Sequence, residues 1–193
     1  MARNVLIIDG HPDGRGGHFC HALADAYDEG ARAGGHSVRR IDVAGLDVPL
    51  LRDASHFGMP PEAACIASAQ ADLKWAEHVV LVFPVWLGAL PAISKAFLEQ
   101  VSRGGLIAEA SRRGWRPQLT GRSARIIATM GMPSLVYRWV FGAHAVAGLK
   151  DNFFAFAGFS PVRVCLFGSM GSSPPATQAR RLERARALGR DAR

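Results

Sequence analysis

The sequence predicts a doubly wound α/β fold, a five-stranded parallel sheet with helices on both faces, in one domain over residues 1–193. Three observations lead there. Five short blocks rich in Val, Ile, Leu or Phe recur at 5–8, 37–43, 78–83, 123–129 and 161–167, and most lack strict alternation, as strands buried on both faces do. Helix-length segments separate these blocks, so the chain alternates β and α five times and implies right-handed crossovers onto both faces of one sheet. The 193 residues, 49% of them hydrophobic, suffice for one full core and are short for two.

The first block, "VLII", runs through "DGHPDGRGGH" into a helix whose apolar face carries Phe19, Leu23, Ala26 and Tyr27, ended by Gly34-Gly35. After the second block, Ile66, Ala69, Leu73 and Ala76 mark the next helix. Pro84 closes the third block, and Pro91 opens a helix over 90–101. The fourth block leads through "ATMGMPSLVYRWVFGAH" into a helix over 143–157, and Pro174-Pro175 starts a last one reaching Leu188. The stretches 46–61 and 103–121 carry Pro, Gly and charge and read as surface excursions.

In such sheets the ligand crevice lies beyond the carboxyl ends of the strands, which directs attention to three loops. The first is neither a dinucleotide fingerprint nor a Walker A loop. Its glycines before a helix offer free N–H groups and the positive end of a helix dipole, with His11, Arg15 and His18 as further donors: a phosphate site, or simply a tight turn. A metal reading of His11, His18 and His21 lacks a completing carboxylate or thiolate, so no metal is expected. In the third-strand loop, Trp86 and Leu87 suit a flat aromatic ligand or pack the strand–helix corner. In the fourth-strand loop, Thr129, Gly131 and Ser134 bring hydroxyls and a permissive backbone, with Tyr137 and His144 following as proton donors of tunable pKa.

Composition narrows the partners. Cys20, Cys65 and Cys165 form no C-x-x-C and no even set, so neither a disulfide framework nor a structural zinc site is signalled. No apolar run approaches the roughly 18–20 residues of a membrane span, and the chain enters its first strand without a cleavage pattern, so a cytoplasmic protein is expected. The net charge of +7 comes from 20 arginines against 3 lysines, with six arginines between Arg180 and Arg193. This tail reads as a solvated helix face or as a surface for anionic partners; no nucleic-acid reader motif accompanies it.

Taken together, "GHPD" with "FCHALADAY", then "FPVWLGALPAISKAF", then "TMGMPSLVY" resemble the flavodoxin-like NAD(P)H:quinone oxidoreductases, a family that includes the DT-diaphorase type, bacterial modulators of drug activity and ancillary proteins of potassium efflux. The resemblance extends through "GFSPVRVCLFG". It implies a flavodoxin-like sheet, a bound flavin, FAD with FMN as alternative, and NAD(P)H as co-substrate. It implies that His11, Gly17, His18 and Phe19 hold the flavin phosphate region, that Pro84, Val85, Trp86 and Leu87 with Thr129, Met130 and Gly131 contact the ring, and that Tyr137 and His144 are catalytic. Two-electron transfer to a quinone by a ping-pong route, and a homodimer, follow as expectations. The alternatives are azo or nitro reduction and a regulatory subunit docked on a membrane transporter. The chain departs from its relatives at Leu87, usually aromatic, at His18, and at Met132-Pro133.

Overall fold

The computed structural model describes residues 1–112 and 114–192; Arg113, in the 103–121 excursion, and Arg193, at the end of the arginine-rich tail, lie outside them. Five strands form one parallel sheet: β1 (Asn4–Asp9), β2 (Ser37–Asp42), β3 (His78–Pro84), β6 (Ser123–Thr129) and β7 (Val162–Phe167), in the order β2-β1-β3-β6-β7. The chain starts at β1, winds outward to β2, then reverses to β3, which places the switch point between β1 and β3. Register follows the apolar blocks, with Val5 opposite both Val38 and His78, and Val80 opposite Arg125. β3 and β6 are buried at every position, whereas β2 is largely exposed, as an edge strand should be.

Alternate residues of each strand feed two apolar layers. Leu6, Ile8, Val79, Leu81, Phe83 and Ile126 pack against α2 (Ala64–Trp75) and α3 (Ala92–Val101). Val5, Ile7, Val80, Val82, Ile127 and Cys165 pack against α1 (Phe19–Ala33) and α6 (Pro175–Asp191). These last two helices touch backbone to backbone: a Cβ on Gly30 would lie 1.9 Å from the Arg186 carbonyl oxygen, and one on Gly189 would lie 2.1 Å from that of Tyr27.

Three elements differ from the sequence reading. The 103–121 excursion contains an antiparallel hairpin, β4 (Ala108–Ser111) with β5 (Gly114–Pro117). The single helix expected over 143–157 is divided into α5 (His144–Gly148) and a π-helical segment, Leu149–Ala155, and an unexpected helix, α4 (Ser134–Trp139), precedes it. Ala143, at φ 46°, separates α4 from α5. Leu149 and Phe154, both buried, are five residues apart, a spacing that the wider π turn aligns and the α turn does not. Pro91 caps α3 from outside rather than opening it.

At the amino end of β3, His78 is fully buried between Tyr27, whose hydroxyl lies 2.9 Å from Nε2, and Ser123, whose hydroxyl lies 2.8 Å from Nδ1. Burial, reinforced by Arg125, pushes its pKa down to about 3. The unfolded chain takes up this proton near pH 6.5 and the folded one only near pH 3. The stability that neutral His78 supports is therefore complete above about pH 6.5 and declines as pH falls toward 3. Urea unfolding at pH 7.5 and 5 should show this loss, and His78→Gln, which cannot titrate, should show a smaller one; equal slopes would refute it.

Candidate active site: a crevice at the switch point

Three loops meet at the carboxyl ends of β1, β3 and β6. After β1, Asp9 is buried and accepts from His21 Nδ1 at 2.6 Å and from Arg40 Nη2 at 2.9 Å, which ties the loop both to α1 and to the neighbouring strand. The second nitrogen of His21 meets the Asp13 carbonyl at 2.8 Å. Burial opposes charge on His21, but Asp9 and the Asp13 carbonyl outweigh it and raise the pKa. His11, 6% exposed, stacks on His18 with ring centroids 3.9 Å apart, and burial lowers its pKa. The Asp13 carboxyl, bridged to Arg15 at 2.7 Å and to His18 at 3.2 Å, is held well below the usual carboxylate range, chiefly by Arg15.

This loop leads into the start of α1. His18 stands at its N-cap position and makes no side-chain cap, and the first turn has no acidic residue. The leading N–H groups of an α-helix have no partner within the helix. Gly16 and Gly17 precede them at φ 84° and 75°, with nothing within 4 Å of where a Cβ would stand. The Phe19 side chain packs against the α1–α6 apolar layer, so this residue faces the loop with backbone only.

After β3, Val85 N–H donates to the Thr129 carbonyl at 2.7 Å, joining the third and fourth loops. Trp86 and Ala89 exchange two backbone hydrogen bonds of 2.9 Å around Leu87 and Gly88, at φ 49° and 79°, the positive-φ pair of a tight hairpin turn. Leu87 is fully exposed in a conformation that costs a branched residue roughly 1–2 kcal/mol. Trp86 is 52% exposed, and its ring lies 6.2 Å from that of His11. The loop's floor is pinned by Ser94 Oγ, which donates to the Gly10 carbonyl at 2.5 Å.

The fourth loop separates backbone from side-chain roles. The Thr129 hydroxyl is turned into the core against Cys20 Sγ at 3.1 Å, and Met130 is buried with its N–H given to Phe167 at 2.9 Å. Gly131 follows with open space above it and no backbone acceptor for its N–H among the described residues. Tyr137, 1% exposed, donates its hydroxyl to the Gly88 carbonyl at 3.1 Å, and burial raises its pKa, keeping the proton on. His144 is exposed at the start of α5 with its ring over Gly142.

The structure thus places His11, Gly17, His18, Phe19, Pro84, Val85, Trp86, Leu87, Thr129, Met130 and Gly131 on three adjoining loops, with the Thr129 and Met130 side chains turned inward, Tyr137 bonded to the second of these loops, and His144 exposed on α5. The sequence reading missed Asp9, Arg40 and Ser94, the supports beneath the loops, and weighed His21 only as a metal ligand, where it instead bridges Asp9 and the Asp13 carbonyl. A carboxylate ending a wholly apolar strand block was the one available signal. Among the described residues no cluster of His, Cys, Asp or Glu is arranged for a metal ion. Adjoining the crevice through Ala89 and Leu90, an apolar groove of about 1180 Å³ runs between α3, the β4–β5 hairpin and the π-helical segment, lined by Phe57, Ile107, Trp115, Phe153 and Phe156.

A family model described as a flavodoxin-like fold matches residues 3–190. The chain belongs to this family. The flavodoxin-like chain is 26% identical over 196 aligned residues to an FMN-dependent NADH:quinone oxidoreductase of Nitratidesulfovibrio vulgaris, covering 93% of each. A ribosyldihydronicotinamide dehydrogenase-like protein of Penicillium crustosum is 34% identical over 74 residues, which span 34% of this chain and only 28% of that protein. The NAD(P)H:quinone oxidoreductase structure from Methanothermobacter marburgensis superposes with a TM-score of 0.80 at 18% identity, over 99% of this flavodoxin-like chain and 96% of that one.

Proposed function

We propose that the protein is an FMN-dependent NAD(P)H:quinone oxidoreductase. The observation that carries this reading is the meeting of an uncapped helix start, an exposed indole and the open Gly131 backbone at one switch-point crevice, a donor set that fits a phosphate at one end and a flat ring at the other. FMN is favoured over the FAD that the sequence resemblance put first, because the full-length curated relative is FMN-dependent. Azo compounds are an alternative acceptor for the same chemistry.

Bound FMN would supply the two-electron carrier between nicotinamide and acceptor. The chain's residues do the rest. His11, His18 and the N–H groups from Gly17 to Phe19 would hold the phosphate, Trp86 would wall the ring, and the N–H of Gly131, which has no backbone acceptor among the described residues, would serve as a donor to negative charge on the reduced ring. Tyr137 acts as a positioning residue, fixing the Trp86–Ala89 turn through the Gly88 carbonyl. His144, which the resemblance made a second catalytic group, has no contact that assigns it a step. The homodimer implied by the resemblance would cover the apolar groove beside the crevice.

The absorbance spectrum of the purified protein tests the cofactor: a yellow protein releasing FMN is expected, and a colourless one that takes up neither FMN nor FAD would overturn the reading. Tyr137→Phe should then lower kcat several-fold with flavin content unchanged, since one buried hydrogen bond is worth about 0.5–1.5 kcal/mol. Unaltered rates of flavin reduction and reoxidation in stopped flow would sink the positioning role.

A further inference from the structure

One strand over from the crevice, a second cleft opens at the carboxyl end of β7. Its volume of about 400 Å³ lies within the roughly 300–1,000 Å³ typical of small-molecule sites. One wall is Pro133, Ser134 and Leu135 at the start of α4, the floor is Phe167–Ser169, and the other wall is the first half of α6, with Thr177, Arg180, Arg181 and Arg184. The floor and first wall are in backbone contact: a Cβ on Gly168 would fall 2.2 Å from the Ser134 nitrogen.

Three guanidiniums share this cleft without a carboxylate. No acidic residue lines it, and among the described residues none of Arg180, Arg181 and Arg184 is in a salt bridge. Arg181 is fixed in place, donating to the Gly168 carbonyl at 2.7 Å and to Ser173 Oγ at 2.9 Å. Arg181 and Arg184 both stand over the Phe167 ring, 5.8 and 6.0 Å from its centroid. Among the described residues, Arg180 hydrogen-bonds only to the Thr177 hydroxyl, at 3.1 Å. Like charges at i, i+3 and i+4 on one helix repel, and a dianion between them turns that repulsion into attraction. Hydroxyls of Ser134, Ser169 and Thr177 border the same space, and Leu135 and Phe167 supply an apolar surface beside it.

We propose that this cleft binds a phosphomonoester, and that its source is the 2′-phosphate of NADPH. Phosphate is matched by the triple charge and the hydroxyl rim, and guanidinium forks bind its oxygens in pairs. The coenzyme is indicated by position. The Met132–Ser134 segment that walls the cleft continues from Gly131 of the crevice, and neighbouring strand ends are only about 4.8 Å apart. A dinucleotide with its nicotinamide in the crevice would reach the cleft by extending across β6 toward β7, its neighbour in the sheet. The coenzyme assignment rests on the oxidoreductase reading; the phosphate site does not.

The test uses FMN-loaded protein, so that the phosphate loop at α1 is filled, and compares wild type with the double variant R180Q/R184Q, whose replaced side chains are exposed on α6. Calorimetry with inorganic phosphate should give one site in the wild type, weakened at least tenfold in the variant. Stopped-flow reduction should show an apparent Kd at least tenfold lower for NADPH than for NADH, and a ratio near one in the variant. Phosphate binding equally well to both proteins overturns the site. Loss of phosphate binding in the variant, with NADPH and NADH equivalent in the wild type, supports the site and rejects the coenzyme in favour of a separate phosphorylated molecule. If neither coenzyme reduces the flavin, the oxidoreductase reading and the coenzyme source both fail, while calorimetry still decides the phosphate site.

Discussion

Gly30→Ala should lower the melting temperature by roughly 6–12 °C, the shift that about 3 kcal/mol produces in a chain of this size. In most helices the change would stabilise, because alanine exceeds glycine in helix propensity by about 0.8–1 kcal/mol. Here the new methyl would meet the Arg186 carbonyl oxygen at 1.9 Å and its carbon at 2.7 Å, both backbone atoms of α6. Neither can move without lifting one helix off the other, and overpacking of this kind costs about 1–3 kcal/mol or more. Steric repulsion therefore outweighs propensity, and the sign reverses. Thermal and urea unfolding read the effect; a variant as stable as the wild type would falsify the tight crossing.

Gly17→Val should weaken FMN binding about 100-fold, equivalent to about 2.7 kcal/mol, and leave the apoprotein folded. Gly17 sits at φ 75° with nothing within 4 Å, so valine meets no steric obstacle in the fold. It does meet two others. A left-handed backbone costs an L-residue about 1–2 kcal/mol, and the side chain projects over the N–H groups to which a phosphate must come close. Gly17→Asn separates the two, since asparagine tolerates this conformation, and should lose less. Fluorescence titration of the apoprotein with FMN measures both; a valine variant that binds as tightly as the wild type would move the phosphate elsewhere.

The sheet was legible in the sequence because burial on both faces leaves blocks such as "VLII" and "HVVLVF" with no competing reading. The hairpin at 108–117 was not, because "AEAS" and "GWRP" hold no β-branched residue and, outside Ala108, no buried position to impose a pattern. The π-helical segment escaped for a related reason: its buried residues repeat at five, a period outside both the helical and strand templates. At the site, the loops and their order were readable, while the direction of side chains was not. Thr129 and Met130 belong to the crevice by position, yet one hydroxyl faces Cys20 and the other side chain enters the core. Asp9, Arg40 and His21 lie on three different elements, and only the fold brings them together.

The close crossing of α1 and α6 has a consequence for how the molecule can change. Both helices start at the carboxyl edge of the sheet, one beside His18 and the other beside Thr177, and their closest contacts set glycine against main chain, next to a side-chain pair of Arg186 with Glu29. The pair works as a caliper with a fixed gauge: a side chain in place of Gly30 or Gly189 forces the shafts apart, whereas changes at the two helix starts leave the gauge alone. Variation at the tips, such as an exchange of the exposed Arg180 or Arg184, therefore leaves the instrument that spaces them undisturbed.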